Sequence, residues 1–346
     1  MMSSLRKILF PFSLLYELII RLRNKLYDKE LLKVHKFETP SICIGNINIG
    51  GSGKTPFISF MVDHFQNEKN LAILSRGYKR KTKGFKLVQP KNNASDVGDE
   101  PLQFKLQFPS VNVAVDENRA NGMQELINAY QPDLILLDDA FQHRAVKADI
   151  NIVLTMYQKP FYQDLTLPAG NLREPASAAN RADIIIVTKT PESVSEKEKY
   201  RLKKKLQAYD DQPVFFSSIV YADTIIGREK EILLSDIDRF TLVTGIAQPQ
   251  PLVDHLKRKG KNFEHLCFPD HHDFTTKELA RIKKCQPILT TQKDFMRLKT
   301  YNELKEVYYL PIKFKILDQE KSFFQLLDDR LKIKAHPSSS SNRSSD

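Results

Sequence analysis

Cysteine is scarce in this chain of 346 residues, and the three that it has, Cys43, Cys267 and Cys285, lie far apart in the sequence. This spacing provides neither a disulfide framework nor the paired cysteines of a metal site. The sequence therefore indicates a protein of a reducing, cytoplasmic setting that is held together without disulfides.

Long apolar runs are missing as well. The most apolar stretch, residues 8–20, is interrupted by Pro11, Ser13 and Glu17 and is shorter than the roughly 18 residues that a membrane-spanning helix needs. Because no small-residue cleavage site follows this stretch, we do not expect a secretory signal either.

Residues 1–36 nevertheless have the pattern of a basic amphipathic helix. Their apolar positions recur at helical spacing: Leu5, Ile8, Leu9, Phe12, Leu15, Tyr16, Ile19, Leu22 and Leu26. The same region carries eight Lys or Arg residues against three Asp or Glu. Such a helix can lie in the interface of an anionic membrane, or it can pack its apolar stripe against the rest of the protein. The sequence leaves both alternatives open.

The whole chain has a formal net charge of +11 at pH 7. This charge suits an anionic partner: a nucleotide, a nucleic acid, a phosphorylated substrate or an acidic membrane surface. The apolar content of 41% is sufficient for a core, and the length suits two domains or one large α/β domain with an appendage.

The segment 42–57 predicts a nucleotide-binding loop. A short apolar strand at 42–44 precedes a glycine-rich turn, after which Lys54 and Thr55 begin a helix with a proline in its first turn. In this arrangement the backbone N–H groups attract phosphate, the lysine reaches the outer phosphates and the threonine holds Mg²⁺. The first glycine of the pattern G-x-x-x-x-G-K-[ST] is replaced by Asn48. The predicted nucleotide contacts are Asn48, Ile49, Gly50, Gly51, Ser52, Gly53, Lys54 and Thr55.

Apolar strands alternate with helix-length segments over most of the chain, which predicts an α/β fold with a mostly parallel, P-loop NTPase-like sheet flanked by helices. A second, smaller α/β unit begins near residue 239 and lacks a phosphate loop, so we interpret it as a lid or substrate domain. The predicted organisation is an N-terminal helix region at 1–36, a core at 37–225, the smaller domain at 226–334 and a disordered tail at 335–346.

Two adjacent acids, Asp138 and Asp139, follow the strand predicted at 133–137, which is apolar after its first residue. A carboxylate delivered to this edge of the sheet can hold Mg²⁺ beside the phosphate loop, directly or through water. We assign the metal to Asp138 and a supporting contact to Asp139. An acid pair that only caps a loop is the alternative.

Other candidate residues have ordinary explanations when the residues are considered alone. Asp99 and Glu100 lie in a turn, where solvated carboxylates are common. Arg76 and Arg119 follow strand ends, where an arginine can clamp phosphoryl oxygens or simply face solvent. His271 has an adjacent histidine but no third ligand at a suitable spacing, so a lone functional histidine is favoured over a zinc site.

Together these segments resemble one family, the tetraacyldisaccharide 4′-kinases of lipid A biosynthesis. The matching segments, in chain order, are residues 45–56, 75–78, 98–101, 138–143, 167–174, 270–271 and 291–294. The combination spans about residues 40–294 and is much more specific than the phosphate loop alone.

The resemblance implies transfer of the γ-phosphoryl group of ATP, with Mg²⁺, to the 4′-hydroxyl of a lipid-anchored disaccharide 1-phosphate. It implies Asp99 as the base for that hydroxyl, and His271 as the group that raises its basicity. Lys54 would contact the β- and γ-phosphates, and Thr55 and Asp138 would hold Mg²⁺ with help from Glu100 or Asp139. Further implied contacts to phosphate or substrate are Arg76, Arg119, Gln142, His143, Asn171, Arg173 and Glu174.

The resemblance also implies a peripheral enzyme on the cytoplasmic face of a Gram-negative inner membrane, with the N-terminal helix on the anionic surface. The expected partners are the lipid substrate and that surface; no nucleic acid and no protein partner is expected. Two alternatives remain: a P-loop ATPase or GTPase switch that binds an anionic macromolecule, and a soluble small-metabolite kinase. A guanine-reading Asn-Lys-x-Asp element is missing, because 188–190 lacks the acid. A soluble kinase would leave the amphipathic N-terminus unexplained.

Overall fold

The computed structural model describes residues 6, 8–207, 212–270, 272 and 274–335. Two of the sequence predictions, the role of His271 and the disorder of the serine-rich tail, concern residues outside this part of the chain.

Helices and strands alternate along the chain. The helices are α1 (Phe10–Asp28), α2 (Lys54–Phe65), α3 (Ala94–Val97), α4 (Asp99–Gln107), α5 (Arg119–Tyr130), α6 (Glu196–Leu206), α7 (Gln250–Arg258), α8 (Thr276–Lys283), α9 (Gln292–Leu298) and α10 (Glu320–Ala335). The strands are β1 (Ser41–Asn46), β2 (Leu71–Ser75), β3 (Lys86–Leu87), β4 (Asn112–Val115), β5 (Leu134–Asp138), β6 (Ile150–Met156), β7 (Ile184–Thr188), β8 (Val214–Tyr221), β9 (Thr224–Ile226), β10 (Glu231–Leu233), β11 (Arg239–Thr244), β12 (Asn262–Cys267), β13 (Ile288–Thr290), β14 (Val307–Tyr309) and β15 (Ile312–Ile316).

The larger sheet has the strand order β15-β8-β7-β6-β1-β5-β2-β4-β3. In it, β1 pairs in parallel with β5 and β6, and β2 pairs in parallel with β5 and β4, whereas β3 is antiparallel to β4. Strands β1, β2, β5 and β7 are buried along their whole length, which explains their unbroken apolar sequences. The predicted α/β fold with a mostly parallel sheet is confirmed, and the carboxyl ends of β1, β5 and β2 lie side by side.

The smaller sheet has the order β10-β9-β14-β13-β11-β12. Its strands β12, β11, β13 and β14 are parallel, and β9 and β10 are added antiparallel at one side. This sheet belongs to a compact unit formed by residues 219–313. It is the second, smaller α/β unit expected from the sequence.

The end of the chain returns to the larger unit, which differs from the predicted ranges. The described residues up to Ser218 and from Phe314 onwards form that unit, whereas the sequence placed 226–334 in the smaller one. The cause is an aromatic cluster on α2. The ring of Phe57 lies 5.1 Å from that of Phe314 and 6.1 Å from that of Phe323, so β15 and α10 complete the core of the larger unit.

The N-terminal helix α1 contacts its unit mainly through polar side chains. The buried hydroxyl of Ser13 donates to the carbonyl of Thr166 at 3.0 Å and accepts from the N–H of Ala169 at 2.8 Å. Tyr16 donates to the carbonyl of Arg173 at 2.8 Å. Bonds of this kind fix one face of the helix to the segment that follows β6.

The apolar stripe of α1 is exposed. In this stripe the exposed fractions are 62% for Phe12, 57% for Leu15, 57% for Ile19 and 59% for Leu22, while Tyr16 and Leu26 are half-buried; the neighbouring Leu18 is 63% exposed. Of the two alternatives for this helix, burial of the stripe on the protein is therefore not what the structure shows. Among the described helices, none has both the length and the apolar character needed to cross a bilayer.

Candidate active site

The phosphate loop connects β1 to α2, and its backbone requires glycine at two positions. Gly50 has a φ of +107° and Gly53 a φ of +90°, a region that side-chain-bearing residues seldom adopt. Gly53 directly precedes α2, so the first backbone N–H groups of that helix face the end of the loop. Gly50 and Gly51 are exposed, and a phosphate can therefore approach the backbone closely.

Asn48 lies in a short pairing with a neighbouring segment rather than in the open part of the loop. It forms an antiparallel bridge with Leu172, and the Ile49 N–H donates to the carbonyl of Asn171 at 2.7 Å. The Asn46 side chain donates to the Asn48 carbonyl at 2.6 Å. Asn48 is 4% exposed, so the part of the loop that is open to a ligand begins at Ile49.

Lys54 is held between two side chains at the carboxyl edge of the sheet. Its Nζ donates to Asn46 Oδ1 at 3.0 Å and lies 3.4 Å from Asp139 Oδ1. Arg173 Nη1 donates to both carboxylate oxygens of Asp139 at 3.0 Å. Burial alone would raise the pKa of Asp139, but the charges of Lys54 and Arg173 outweigh it and hold that pKa below its usual value. Asp139 is therefore an ionised group that orients the lysine.

The residues predicted to hold Mg²⁺ are hydrogen-bonded, two of them to each other and Asp138 to a serine. Thr55 Oγ1 donates to Glu100 Oε1 at 3.0 Å, and Ser75 Oγ donates to Asp138 Oδ2 at 2.7 Å. Burial, followed by the negative charges of Glu100 and Asp139, raises the pKa of Asp138 to about 7. A divalent cation would relieve this crowding of carboxylates.

This donor set fits Mg²⁺. Within the described ranges, no three Asp, Glu, His or Cys side chains are grouped so that they could hold a metal by themselves. Mg²⁺ in nucleotide sites usually has only one or two carboxylate ligands and completes its shell with phosphate oxygens and water. The carboxylates of Glu100 and Asp138 and the hydroxyl of Thr55 are oxygen donors of this kind.

The loop after β2, at residues 76–78, is in backbone contact with Gly98, which joins α3 to α4. A Cβ atom added to Gly98 would lie 3.2 Å from Gly77 Cα and 3.2 Å from the Tyr78 carbonyl oxygen, and both glycines have positive φ. Only glycine fits such an approach without displacement. The contact places Asp99, the first residue of α4, next to the loop that carries Arg76. Arg76 is exposed there, as an arginine that contacts a ligand must be.

Arg119, for which the sequence left a phosphate contact or a surface position open, is buried. It is 3% exposed, and its guanidinium donates to the carbonyls of Asp116 and Asp138, at 3.4 Å in the second case.

Burial, and then the positive charges of Arg119 and Arg76, lowers the pKa of His143 to about 4. The His143 ring is therefore neutral near pH 7.

Three of the predicted substrate contacts are bound to other parts of the protein. Gln142 donates to the carbonyl of Asn46 at 3.0 Å, and Asn171 accepts a bond of 2.9 Å from Arg6. Glu174 is 1% exposed and forms ion pairs with Arg23, at 3.3 Å, and with Arg181. Glu174 therefore fastens α1 to the core and does not face solvent in this structure.

In the smaller unit, Asp270 follows β12 and forms an ion pair with Lys293 at 3.1 Å. Its neighbour His271 lies outside the described residues. Asp294, from the late motif 291–294, is fully buried and accepts the N–H of Gly245 at 2.9 Å. It also accepts the hydroxyl of Thr291 at 2.8 Å, so this part of the motif fixes the loop that follows β11.

Two residues of the site were missed in the sequence. Asn46 positions Lys54, and Ser75 donates to the carboxylate of Asp138. Each is the polar last residue of a buried strand, β1 and β2. A polar residue that ends an apolar parallel strand lies at the edge where ligands bind, and this signal was available in the sequence.

A parallel sheet with a glycine-rich loop and lysine after β1, and with acids at the end of the adjacent β5, defines a P-loop nucleotide-binding protein built for phosphoryl transfer. The comparison with known families is more specific. A family model described as tetraacyldisaccharide-1-P 4′-kinase (LpxK) matches residues 5–332, and the chain belongs to this family. The family predicted from the motifs is confirmed.

Similar proteins agree with this assignment. The tetraacyldisaccharide 4′-kinase of Flavobacterium johnsoniae is 45% identical over 328 residues, which cover 93% of this chain and 96% of that protein. The enzyme of the same name from Bacteroides fragilis is 40% identical over 343 residues, 92% of this chain and 91% of that protein. The crystal structure of the "apo" form of LpxK from Aquifex aeolicus in complex with ATP covers 95% of this chain and 100% of that chain, with 33% identity and a TM-score of 0.79.

Proposed function

We propose that this kinase transfers the γ-phosphoryl group of ATP to the 4′-hydroxyl of tetraacyldisaccharide 1-phosphate and so forms lipid IVA in lipid A biosynthesis. The observation that carries the proposal is the arrangement around Lys54, in a chain that belongs to this family. The lysine lies beside the phosphate loop and is oriented by Asn46 and Asp139, while Thr55 and Asp138 supply metal donors at the same edge.

Each side chain then has a defined task. Lys54 stabilises the negative charge on the β- and γ-phosphates, and Asp139, held by Arg173, keeps its ammonium group in place. Thr55 and Asp138, with Glu100, would hold Mg²⁺, which neutralises charge on the phosphates when it is bound. Because phosphoryl transfer depends mainly on positioning and electrostatics, these contacts are the centre of the proposed mechanism.

Asp99 is the proposed base for the 4′-hydroxyl. It is the first residue of α4, and the contact between Gly98 and Gly77 fixes the start of this helix against the loop that carries Arg76. A carboxylate in hydrogen-bonding reach of the hydroxyl would accept its proton as the phosphorus–oxygen bond forms. The resemblance adds His271 as the residue that makes Asp99 more basic.

The proposed function is tested with purified protein, ATP, Mg²⁺ and tetraacyldisaccharide 1-phosphate in mixed micelles. We expect ATP-dependent formation of a bisphosphorylated lipid. ATP hydrolysis without lipid phosphorylation would instead favour the ATPase switch, and equal phosphorylation of a soluble sugar would favour a small-metabolite kinase.

We further propose that α1 binds the cytoplasmic face of the inner membrane, since a tetraacylated substrate does not leave the bilayer readily. The exposed stripe of α1 and the basic charge of the N-terminal region support this. Replacing Leu15 and Leu18 together by serine should leave folding unchanged, because both side chains are already exposed. It should weaken binding to phosphatidylglycerol vesicles at least about tenfold, since each buried leucine contributes roughly 1.5–3 kcal/mol.

The measurement is vesicle flotation of the full chain, with Tyr200→Ser as the matched control. Tyr200 is a large side chain, 61% exposed, on the separate helix α6. We expect the control to float like the unmodified protein. If the Leu15→Ser, Leu18→Ser protein floats equally well, α1 is not the membrane anchor.

A further inference from the structure

The connection from β5 to β6 borders a cavity. Residues 139–149, all of which the structure describes, contain no helix, and His35 pairs with Val146 across this connection. The cavity has a volume of about 660 Å³ and reaches Cys43 and Leu137 on the sheet. The cavity belongs entirely to the larger unit, and it also borders the end of α1.

Cationic side chains dominate the charged lining of this cavity. They are Lys33, Lys36, Arg119, Arg144, Lys147 and Arg181, and the acids that line it are Asp28 and Glu30. Arg144 is neutralised by Asp28 at 2.6 Å, and Arg181 by Glu174. For the three lysines, the described residues provide no hydrogen bond or ion pair to the ammonium groups. The lining therefore carries positive charge that the protein itself does not balance.

The deepest cation is incompletely bonded. Arg119 is 3% exposed, and its Nε is buried without a hydrogen-bond partner among the described residues, although its terminal nitrogens bind two carbonyls. Because this Nε is itself closed to solvent, an anion in the cavity would be attracted by the charge of the guanidinium and not bonded to Nε. Arg181 lines the same cavity, and its guanidinium lies 4.4 Å from the centre of the Phe141 ring.

We propose that this cavity is a binding site for a phosphate group. Guanidinium groups match the oxygens of phosphate geometrically. The lysines around the opening, which have no ion pair among the described residues, add positive charge and can bind a phosphate in more than one orientation. The volume exceeds that of free phosphate, and the lining includes apolar residues, so a phosphate attached to a sugar or glycerol also fits. The source is the 1-phosphate of the lipid substrate, a membrane phospholipid or free phosphate. Only the first of these sources rests on the function proposed above.

The test reverses charge in the cavity at two exposed positions that are not part of the proposed catalytic machinery, Lys36→Glu and Lys147→Glu in one protein. The matched control is Lys91→Glu with Lys159→Glu, which makes the same change of net charge at exposed lysines outside the cavity. Both are compared with the unmodified chain. The phosphate loop is first filled with a non-hydrolysable ATP analogue, so that titrated phosphate reports on the cavity alone.

Calorimetric titration with glucosamine 1-phosphate and with inorganic phosphate measures binding directly. We expect the cavity variant to bind at least about tenfold more weakly than the unmodified protein, and the control to remain within about twofold. If the cavity variant and the control bind both probes alike, or if the unmodified protein binds neither, the phosphate site is rejected.

Two further arms identify the source. If the ligand is the 1-phosphate of the substrate, the cavity variant raises KM for the lipid without changing kcat or KM for ATP, and this difference vanishes with a substrate that lacks the 1-phosphate. If it is a phospholipid, flotation with phosphatidylglycerol vesicles weakens beyond the control. If the cavity variant loses only the binding of inorganic phosphate, the natural ligand is free phosphate. Since titration requires no turnover, an inactive protein that binds phosphate rejects the proposed function and retains the site.

Discussion

Replacing Lys54 by alanine is expected to lower kcat by roughly 10²–10³-fold, because one charged donor to the transferring phosphoryl group is lost. Two neighbouring side chains hold the ammonium group of this lysine in place. Its ammonium is fixed by Asn46 at 3.0 Å and by Asp139 at 3.4 Å, in a site where little water screens the charge. Steady-state kinetics with the lipid in mixed micelles measures the effect.

Lys54→Arg separates charge from shape. It keeps a cation, but a planar guanidinium cannot occupy the position of the ammonium between Asn46 and Asp139, so we expect little rescue. Lys91→Ala, at an exposed lysine, is the control and should retain full activity. Thermal unfolding confirms that each variant is folded. If folded Lys54→Ala keeps more than about a tenth of the activity, the lysine is not the main phosphate contact.

The parts of the fold and site that follow from local sequence were predictable. The loop and the start of α2 at Lys54 follow from an apolar strand, glycines and a proline in the first turn, which together allow few other conformations. Asp138 ends β5 as expected, because a parallel strand that is buried on both faces becomes polar only at its edge. Each of these features is determined by residues that are adjacent in the sequence.

The parts that depend on distant contacts were not predictable. Ser13 and Glu17 were read as interruptions of an apolar run, yet both contact Thr166, far along the chain. The family resemblance implied Glu174 as a substrate contact, but its carboxylate is buried and forms ion pairs with Arg23 and Arg181. No local periodicity encodes such pairs, because each partner comes from another element.

The motifs on which the family resemblance rests depend both on local sequence and on contacts between distant residues. Gly77 and Gly98 are both required because their backbones touch, and this contact is between loops that follow different elements. The resemblance therefore located Asp99 near the phosphate edge without explaining why. The structure gives the physical reason: the close approach of two glycines fixes the start of α4 beside the loop that follows β2.

Replacing Asp99 by asparagine is expected to lower kcat by roughly 10²–10⁴-fold, because asparagine cannot accept the proton of the 4′-hydroxyl. The change preserves the size of the side chain and a group suited to the first turn of a helix, so α4 should remain folded. The nucleotide contacts of Lys54 and Thr55 are not altered directly. Binding of an ATP analogue, measured by calorimetry, should therefore remain within about threefold of the unmodified protein.

Asp96→Asn is the matched control for Asp99→Asn. Asp96 lies three residues earlier, where its carboxylate closes the capping box of α3 with Asn93, so its replacement removes one negative charge from the same region without removing the proposed base. We expect a small loss of stability and nearly full activity in this control. If Asp99→Asn and Asp96→Asn have similar kcat values, another group accepts the proton; if Asp99→Asn alone is inactive but still binds the ATP analogue, its loss lies in the chemical step, as a base requires.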